Sequence, residues 1–207
     1  MIKNIVFDLG NVLLSWNPEE FFKRSGYDPE EVKIILKDIF KSNEWSMLDN
    51  GDITTSEAID LIAFKSSLKR DNICSIFDLR TKVIFPLGMN IKLLPALKKQ
   101  GFKLYFLSNF PLDFFEEVKK QYNFFKYFNG GIISAEVGFS KPDIGIFKIF
   151  LEKYNLVPEE CLYIDDIEIN VKVAESIGVK GIHLGKTDSL EKKLMEAVLR
   201  TASLRSQ

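Results

Sequence analysis

The stretch IVFDLGNVLL, residues 5–14, carries one charged side chain inside an apolar run. Near-continuous Val, Ile, Leu and Phe are typical of a parallel β-strand that is covered on both faces of a sheet. We therefore predict a buried strand over Ile2–Leu9, with Asp8 near its carboxyl end. The fixed carboxylate makes Asp8 the first candidate functional residue, and Gly10 is first interpreted as a turn glycine.

Four further apolar runs of similar length follow along the chain. They predict strands over Lys103–Ser108, Gly131–Ser134, Leu162–Asp165 and Val179–Leu184. Helical patterns cover Met89–Gln100, Leu112–Tyr122, Pro142–Tyr154 and Asn170–Ile177, and an amphipathic stretch begins at Ser189. Strands that alternate with helices in this way indicate an α/β fold, a doubly wound parallel sheet.

The segment from about Asn17 to Phe85 interrupts the alternation, because it contains helical patterns and no convincing strand. One helix is predicted to start at Asp28, followed by Pro29, and another at Thr54 or Thr55. A segment of this length is too long for a loop. We predict an α/β core domain over 1–16 and 86–207 and a helical cap domain over 17–85, with hinges near 15–18 and 85–88.

The composition narrows the class of protein. The 28 basic and 29 acidic residues nearly cancel, which disfavours a nucleic-acid or membrane-surface partner. No apolar run reaches the length of a membrane span, and Asp8 interrupts the segment that a signal peptide would need. Cys74 and Cys161 are interpreted as free thiols, and with a single histidine, His183, a zinc site is disfavoured. A cytoplasmic protein is expected, as a monomer or weak homodimer.

Polar side chains stand at or just after the carboxyl ends of the predicted strands, where open α/β sheets bind their ligands. They are Asp8, Ser108 and Asn109, Lys141, Asp165 and Asp166, and Asn170. Each one alone has an ordinary interpretation as a helix cap, a turn residue or a solvated charge. Together, three carboxylates, an amine and a hydroxyl at one edge predict a site for Mg²⁺ and an anionic substrate.

The order of these residues resembles the haloacid dehalogenase superfamily of phosphohydrolases. The segments DLGNVL, LSNF, GFSKPD and YIDD followed by Asn170 are similar to its four motifs, and the resemblance covers nearly the whole chain. The insertion after the first motif is similar to the helical cap of one subfamily. Its segment EWSMLDNGDITTSEA, residues 44–58, resembles the branch related to the N-terminal domain of epoxide hydrolase, which includes sugar-phosphate phosphatases.

The resemblance implies a role for each matched residue. Asp8 would be the nucleophile that forms an aspartyl-phosphate. Ser108 and Lys141 would bind the transferring phosphoryl group, and Lys141 would also hold the nucleophile. Asn109, Gly10 and Asn11 would contribute further phosphate contacts.

The resemblance also implies the metal ligands. Mg²⁺ would be held by the Asp8 carboxylate, the Gly10 carbonyl and one member of the acidic pair. Asp166 matches the direct ligand better than Asp165, and the choice between them stays open. Asp165 and Asn170 would orient the ligands.

Gly10 departs from the pattern of most phosphatases in the superfamily, which carry a second aspartate there as general acid and base. Glycine can do neither, and general acid–base help is worth ~10²–10⁴-fold. A good leaving group, such as the anomeric hydroxyl of a sugar 1-phosphate, needs less protonation. Active sugar-1-phosphatases of the resembled branch share DLGNV, which favours an active site over an inactive one. A sugar phosphate is the favoured substrate.

Three functions remain open at this point: a Mg²⁺-dependent phosphatase of a small phosphorylated metabolite, a metal-independent haloacid dehalogenase, and a non-catalytic phosphate-binding or regulatory protein. A phosphoacceptor receiver domain is excluded, because receivers place the acidic pair first and the lysine last. Substrate selection is expected from the cap, with His183 not expected to be a catalyst. The candidate selecting residues are Trp16, Phe21, Phe22, Trp45 and Asp49, and packing in the core is the alternative for each of them.

Overall fold

The computed structural model describes residues 1–203, with side chains described as far as Ala197. The last four residues of the predicted core domain, 204–207, therefore lie outside the described part. Within that part, no helix is both long enough and apolar enough to cross a membrane. Cys74 and Cys161 are both free, as predicted.

A five-stranded, fully parallel sheet forms the centre of the molecule. Its strands in spatial order are β5 (Gly130–Ile133), β4 (Lys103–Ser108), β1 (Asn4–Phe7), β6 (Cys161–Asp165) and β7 (Lys180–His183). The chain runs outward from β1 on one side and later returns to build the other side. The five predicted strands and the doubly wound parallel topology are confirmed, and the carboxyl ends of β1, β4 and β6 meet at the switch point.

Thirteen α-helices surround the sheet in the described part of the chain. Those of the insertion are α1 (Pro18–Arg24), α2 (Pro29–Ile35), α3 (Asn43–Asn50), α4 (Thr55–Lys65), α5 (Arg70–Asp78) and α6 (Arg80–Val83). Those that follow are α7 (Gly88–Ile91), α8 (Leu93–Lys99), α9 (Leu112–Gln121), α10 (Ser134–Val137), α11 (Ile144–Lys153), α12 (Glu168–Ser176) and α13 (Leu190–Ser203). Leu36–Phe40 is a π-helix, and Asn123–Tyr127 and Pro158–Glu160 are 3₁₀ turns.

Successive side chains of the buried strands point to opposite faces of the sheet and pack into two apolar layers. Val6, Tyr105 and Tyr163 point into the layer under α11 and α12. Phe7 and Phe106 point into the opposite layer, which continues without a break into the apolar interior of the insertion. The insertion therefore packs on the sheet-side core rather than standing apart from it.

The starts of two insertion helices follow the expected local chemistry. The Asp28 side chain accepts a hydrogen bond from Glu30 N at 2.9 Å, with Pro29 in the first helical position. Thr54, rather than Thr55, caps α4: its side chain accepts a hydrogen bond from Glu57 N, and the Glu57 carboxylate accepts one from Thr54 N at 2.7 Å. This reciprocal pair is a capping box.

A second, two-stranded antiparallel sheet joins the two ends of the insertion. It pairs β2 (Leu14–Trp16) with β3 (Ile84–Pro86). The expectation of no strand between Asn17 and Phe85 was wrong for β3. Three residues are too few to show an alternation, and the pairing joins positions separated by the whole insertion. These strands lie at the predicted hinges, and the division into core and cap stays a prediction.

The helix predicted over Met89–Gln100 is two helices, α7 and α8. Pro95 lacks the N–H that would bond to the Ile91 carbonyl, so a continuous helix is broken there. Pro95 is the third residue of α8, within the first turn, where no intrahelical donor is needed. Gly101 follows α8 with φ 93°, the left-handed conformation of a helix-ending glycine.

Candidate active site

The loop after β1 fixes Asp8 at the switch point. Asp8 N donates to Ile164 O at 2.8 Å, which extends the pairing with β6 by one residue, and the side chain is almost fully buried. Beyond it the chain turns tightly, since Leu13 N and Leu14 N both donate to Leu9 O at 2.9 and 2.8 Å. Sheet and turn together leave Asp8 little freedom to move.

Gly10 is not required by the backbone or by the space around it. Its φ lies outside the left-handed region, and a Cβ built there meets no atom within 4 Å. The left-handed residue of the turn is Asn11, with φ 52°. The first interpretation of Gly10 as a turn glycine therefore has no conformational basis, and a side chain at this position would be accommodated.

One oxygen of Asp8 is held by three donors. Leu9 N and Ser108 Oγ donate to Oδ1 at 2.7 Å each, and Lys141 Nζ lies 2.9 Å from the same atom. Within the described residues, Oδ2 accepts no hydrogen bond. The carboxylate is thus oriented through one oxygen while the other stays available.

Lys141 lies between two carboxylates and is buried. Its Nζ is 2.9 Å from Asp8 Oδ1 and 2.7 Å from Asp165 Oδ2. Asn109 fixes its backbone, because Nδ2 donates to Lys141 O at 2.9 Å and Oδ1 accepts from Lys141 N at 2.8 Å. The peptide to Pro142 is cis, and α11 begins at Ile144 with Asp143 as its cap.

The two aspartates after β6 differ in how many hydrogen bonds their carboxylates accept. Asp165 Oδ1 accepts from Ile167 N at 2.7 Å, and Oδ2 accepts from Lys141, from Asn170 Nδ2 at 3.0 Å and from the Tyr163 hydroxyl. Asp166 accepts one side-chain bond at Oδ2, from Asn11 Nδ2 at 3.0 Å. Both oxygens of Asp165 are therefore engaged by protein donors, and Asp166 keeps free acceptor capacity.

Burial and neighbouring charge set the protonation of this group. Burial raises the pKa of Asp8 to about 6, with Lys141 opposing the shift and Asp165 adding to it. Burial also disfavours the charge on Lys141, but Asp8 and Asp165 outweigh it and raise the pKa of the amine. Burial works against ionised Asp165 as well, yet Lys141 and the bound donors lower its pKa. Lys141 therefore stays charged.

The carboxylates of Asp8, Asp165 and Asp166 offer ligand atoms within 4.8 Å of one another. Magnesium takes oxygen ligands and usually keeps several waters beside one or two carboxylates. Asp8 and Asp166 have uncommitted oxygens, whereas those of Asp165 are occupied. The donor set fits Mg²⁺, with Asp8 and Asp166 as the carboxylates that could hold it.

A cavity of about 250 Å³ opens above these residues. Its floor carries the polar residues Asp8, Gly10, Asn11, Ser108, Asn109, Lys141, Asp166 and Asn170. Its wall carries Trp16, Trp45, Asp49, Ile84, Phe110, Pro111, Phe114 and Ile167. The Trp16 ring stacks on Trp45 at 5.8 Å between centroids and lies 6.1 Å from Phe114. The wall is thus apolar and aromatic apart from Asp49.

The structure brings all but one of the predicted strand-end residues to one cavity; the exception is Asp165, which is fully buried and does not line it. The side-chain amides of Asn11 and Asn109 are bonded to other protein atoms. Asn11 Oδ1 accepts from Trp16 N at 3.1 Å while its Nδ2 holds Asp166, and both amide atoms of Asn109 bond the Lys141 backbone. Contact of Asn11 or Asn109 with phosphate therefore stays a prediction. Asn170 lines the cavity and bonds Asp165.

Three of the five candidate selecting residues line the cavity: Trp16, Trp45 and Asp49. Phe21 and Phe22 do not, and both pack in the apolar core, the alternative that the sequence left open for them. Phe22 is fully buried among Tyr27 and Phe40, with ring centroids 5.0 and 5.9 Å away, so it is a core residue of the insertion. His183 lies outside the cavity, with Nε2 3.0 Å from Asp166 O.

Several wall residues were missed from sequence. They are Ile84, Phe110, Pro111, Phe114 and Ile167. Phe110 and Pro111 directly follow Ser108 and Asn109, so extending the strand-end rule by two residues would have found them. Ile84 reaches the wall only through the pairing of β2 with β3, for which the sequence gives no local signal.

The chain matches the haloacid dehalogenase-like hydrolase family over residues 2–178. It is 29% identical over 191 residues to the sesquiterpene phosphatase astK of Aspergillus oryzae, covering 91% of each chain. It is 25% identical to the glyceraldehyde 3-phosphate phosphatase of Methanocaldococcus jannaschii, covering 92% of this chain and 89% of that one.

A solved structure gives the same answer for the fold. It is the HAD family enzyme bt-2542 of Bacteroides thetaiotaomicron in complex with magnesium and inorganic phosphate, at a TM-score of 0.73 and 26% identity. The match covers 92% of this chain and 98% of that one. With the family match over residues 2–178, this likeness identifies the chain as a haloacid dehalogenase-like hydrolase.

Proposed function

We propose that this protein is a Mg²⁺-dependent phosphatase that hydrolyses a small phosphorylated metabolite through an aspartyl-phosphate on Asp8. The observation that carries the proposal is the state of the Asp8 carboxylate. Its Oδ1 is held by three donors, Lys141 among them, and its Oδ2 accepts no bond from the described residues. A nucleophile must be oriented and yet keep a free electron pair, and this carboxylate does both.

In the proposed reaction, Asp8 Oδ2 attacks phosphorus and the bond to the leaving oxygen breaks. Lys141 holds the nucleophile and, being cationic and buried, stabilises the charge that spreads over the phosphoryl oxygens. Ser108 orients Oδ1 and can turn its hydroxyl to a phosphoryl oxygen. Mg²⁺ held by Asp8 and Asp166, with the Gly10 carbonyl, would neutralise phosphate charge. Water then attacks phosphorus and frees Asp8.

Named activities of relatives support phosphate monoester hydrolysis. One relative is a sesquiterpene phosphatase, another a glyceraldehyde 3-phosphate phosphatase, and a shorter match is to a phosphorylated carbohydrates phosphatase of Thermotoga maritima. A HAD family enzyme of similar structure carries magnesium and phosphate together. These named substrates share the phosphate group and differ in the rest of the molecule. The reaction is therefore better supported for this chain than any one substrate is.

Two substrate classes compete for this chain. The sugar phosphate favoured by the sequence stays a prediction. The wall favours a second candidate, the phosphate ester of an apolar alcohol, because a sugar needs polar partners for its hydroxyls. The lining amides of Asn11, Asn109 and Asn170 already bond protein atoms, and the faces above them are Trp16, Trp45 and Phe114.

The remaining functional expectations from the sequence are also proposals. A metal-independent dehalogenase and a non-catalytic phosphate-binding protein are the alternatives to hydrolysis of a phosphate ester. We expect the protein to act in the cytoplasm on a small molecule, without nucleic-acid or membrane partners, as a monomer or weak homodimer.

A hydrolysis panel tests the proposal. It comprises p-nitrophenyl phosphate, sugar phosphates and prenyl or alkyl phosphates, each with Mg²⁺ and with EDTA, and chloroacetate in EDTA. We expect Mg²⁺-dependent phosphate release that Asp8→Asn abolishes. Release from no ester would overturn the proposal, and chloride release in EDTA would favour the dehalogenase. Higher kcat/KM for apolar than for sugar esters would select the second substrate class.

A further inference from the structure

The leaving oxygen of a phosphate ester needs a proton, and the first motif does not supply one. Gly10 has no side chain where a carboxylate would be accommodated. Lys141 on the floor is engaged by two carboxylates, and Asp165, which does not line the cavity, has both oxygens occupied. Asp8 and Asp166 are the nucleophile and the metal ligand of the proposed function, on which this inference rests.

The wall contains one uncommitted ionisable group, Asp49. It lies in the last turn of α3 and lines the same cavity as Asp8 and Lys141. Within the described residues its carboxylate makes no hydrogen bond and no ion pair. Apart from Asp8 and Asp166, the polar side chains of the floor each donate a hydrogen bond to another protein atom; they are Asn11, Ser108, Asn109, Lys141 and Asn170. Asp49 is therefore a carboxyl group without a hydrogen-bond partner among the described residues, in the cavity that Asp8 also lines.

The backbone around Asp49 is fixed to the α/β core. The Ser134 hydroxyl donates to Asp49 O, and Ser140 Oγ donates to Asn50 Oδ1 at 3.3 Å. Gly51 ends α3 in the left-handed conformation, at φ 78°, and a Cβ there would meet Ala135 O at 2.6 Å. Only glycine permits this close approach. The backbone at Asp49 is thus fixed against the α/β core although Asp49 belongs to the insertion.

We propose that Asp49 is the general acid and base of the reaction, in place of the carboxylate that Gly10 lacks. In the first step Asp8 Oδ2 bonds to phosphorus, the ester bond breaks, and the leaving oxygen takes the Asp49 proton with the bonding electron pair. The alcohol departs and Asp49 is left as a carboxylate. In the second step water bonds to phosphorus and gives its proton to Asp49, and the Asp8–phosphorus bond breaks. Phosphate leaves, and both side chains return to their starting states.

The protonation of Asp49 suits this role. Burial raises its pKa to about 7, and Lys141 opposes the shift. An acid whose pKa lies near the working pH is effective in both directions of proton transfer. The other charges around α3 are placed differently: Glu44 pairs with Lys65, Glu136 on α10 is exposed, and Asp8 and Asp166 lie on the floor.

The test compares kcat/KM for p-nitrophenyl phosphate, whose leaving group needs little protonation, with that for an alkyl phosphate, whose leaving group needs much. We expect Asp49→Asn to lower kcat/KM for the alkyl ester by ~10²–10⁴-fold and for the p-nitrophenyl ester by less than ~10-fold. Asp52→Asn is the matched control, because Asp52 is an exposed aspartate two residues after the end of α3 and does not line the cavity. It should change neither value.

Rescue makes the test specific. Gly10→Asp in the Asp49→Asn background should restore much of the alkyl-ester activity, because it returns a carboxylate to the floor. A pH profile needs no variant: wild-type kcat/KM for the alkyl ester should fall above about pH 7, and Asp49→Asn should lose that fall.

If Asp49→Asn lowers kcat/KM equally for both esters, or does not lower it for the alkyl ester, the role of Asp49 is overturned. If Asp49→Asn does not fold, the absence of the wild-type fall in kcat/KM would overturn it instead. The proposed phosphatase activity is tested separately, by whether wild-type hydrolysis of p-nitrophenyl phosphate requires Mg²⁺ and Asp8.

Discussion

The floor and the wall of the cavity are built on opposite principles. On the floor nearly every polar atom is held by another protein atom, as when Lys141 bridges Asp8 and Asp165 at 2.9 and 2.7 Å. On the wall Trp16, Trp45 and Phe114 offer apolar faces, and Asp49 is left without a partner among the described residues. We therefore expect the floor, together with Asp49, to carry out the reaction, and the apolar faces of the wall to select the ester.

The largest effect is expected on the floor. Asp8→Asn removes the nucleophile, so kcat should fall by at least ~10³-fold for every ester in the panel. The measurement is steady-state phosphate release with Mg²⁺. A loss confined to one ester would contradict the separation of floor from wall.

Lys141→Ala should also act on every ester. It removes the cation that stabilises the phosphoryl oxygens, and kcat should fall by ~10²–10³-fold. It also leaves the buried Asp8 and Asp165 without their shared partner, so the melting temperature should fall in the same variant. Unchanged kcat with an altered preference among esters would assign Lys141 to selection instead.

Asp49→Asn should stabilise the folded protein at neutral and alkaline pH. The Asp49 pKa is about 7 in the folded protein, well above the 3.8 of an unperturbed aspartate, so the unfolded chain ionises first as pH rises. Folding is then penalised increasingly between pH 4 and 7 and by a constant amount above that, by up to a few kcal/mol. The Asn variant lacks this penalty.

Urea denaturation at pH 4 and pH 8 measures the effect. The stability gain of Asp49→Asn over wild type should be near zero at pH 4 and largest at pH 8. A gain of equal size at both pH values would contradict a raised pKa for Asp49.

Trp16→Ala should change selection rather than rate in general. Removing one aromatic face of the wall should lower kcat/KM for an apolar ester by ~10–100-fold relative to a sugar phosphate. Phe64→Ala is the matched control, since Phe64 is 91% exposed on the insertion and lines no part of the cavity. If Trp16→Ala lowers kcat/KM equally for the apolar ester and the sugar phosphate, the wall does not select for apolar groups.

The smallest effect concerns the contact between helix α6 of the insertion and helix α9, which carries the wall residue Phe114. Arg80 of α6 lies 2.9 Å from both Asp113 and Glu117 of α9, and its guanidinium lies over the Phe114 ring at 5.2 Å. Arg80→Met should cost about 1–2 kcal/mol of stability, because Arg80 is buried while both acids are half-exposed. Lys119→Met removes an exposed ion pair with Glu116 on the same helix and should cost close to nothing.

The floor could be predicted from the sequence for a physical reason. Parallel strands end at one edge of a sheet, so polar residues at strand ends in different parts of the chain converge. Asp8, Ser108, Lys141 and Asp166 all line the cavity as that rule requires. The rule does not predict which hydrogen bonds each side chain makes, such as the two between the Asn109 amide group and the Lys141 backbone.

The wall was only partly predictable. Trp16, Trp45 and Asp49 were named as candidates, but Phe22 was indistinguishable from them because helical spacing does not tell a core face from a cavity face. Ile84 depends on the pairing of β2 with β3 across the whole insertion. Long-range pairing of three-residue strands leaves no periodic pattern, so this part of the wall is visible only in the structure.

The most direct test of the account is the detection of the covalent intermediate. The wild-type protein with Mg²⁺ and p-nitrophenyl phosphate is quenched in acid during turnover, digested, and analysed by mass spectrometry. The account predicts the added mass of one phosphoryl group on the peptide that contains Asp8, and its absence from Asp8→Asn. Steady hydrolysis with no phosphorylated peptide, or with the phosphoryl group on another residue, would contradict it.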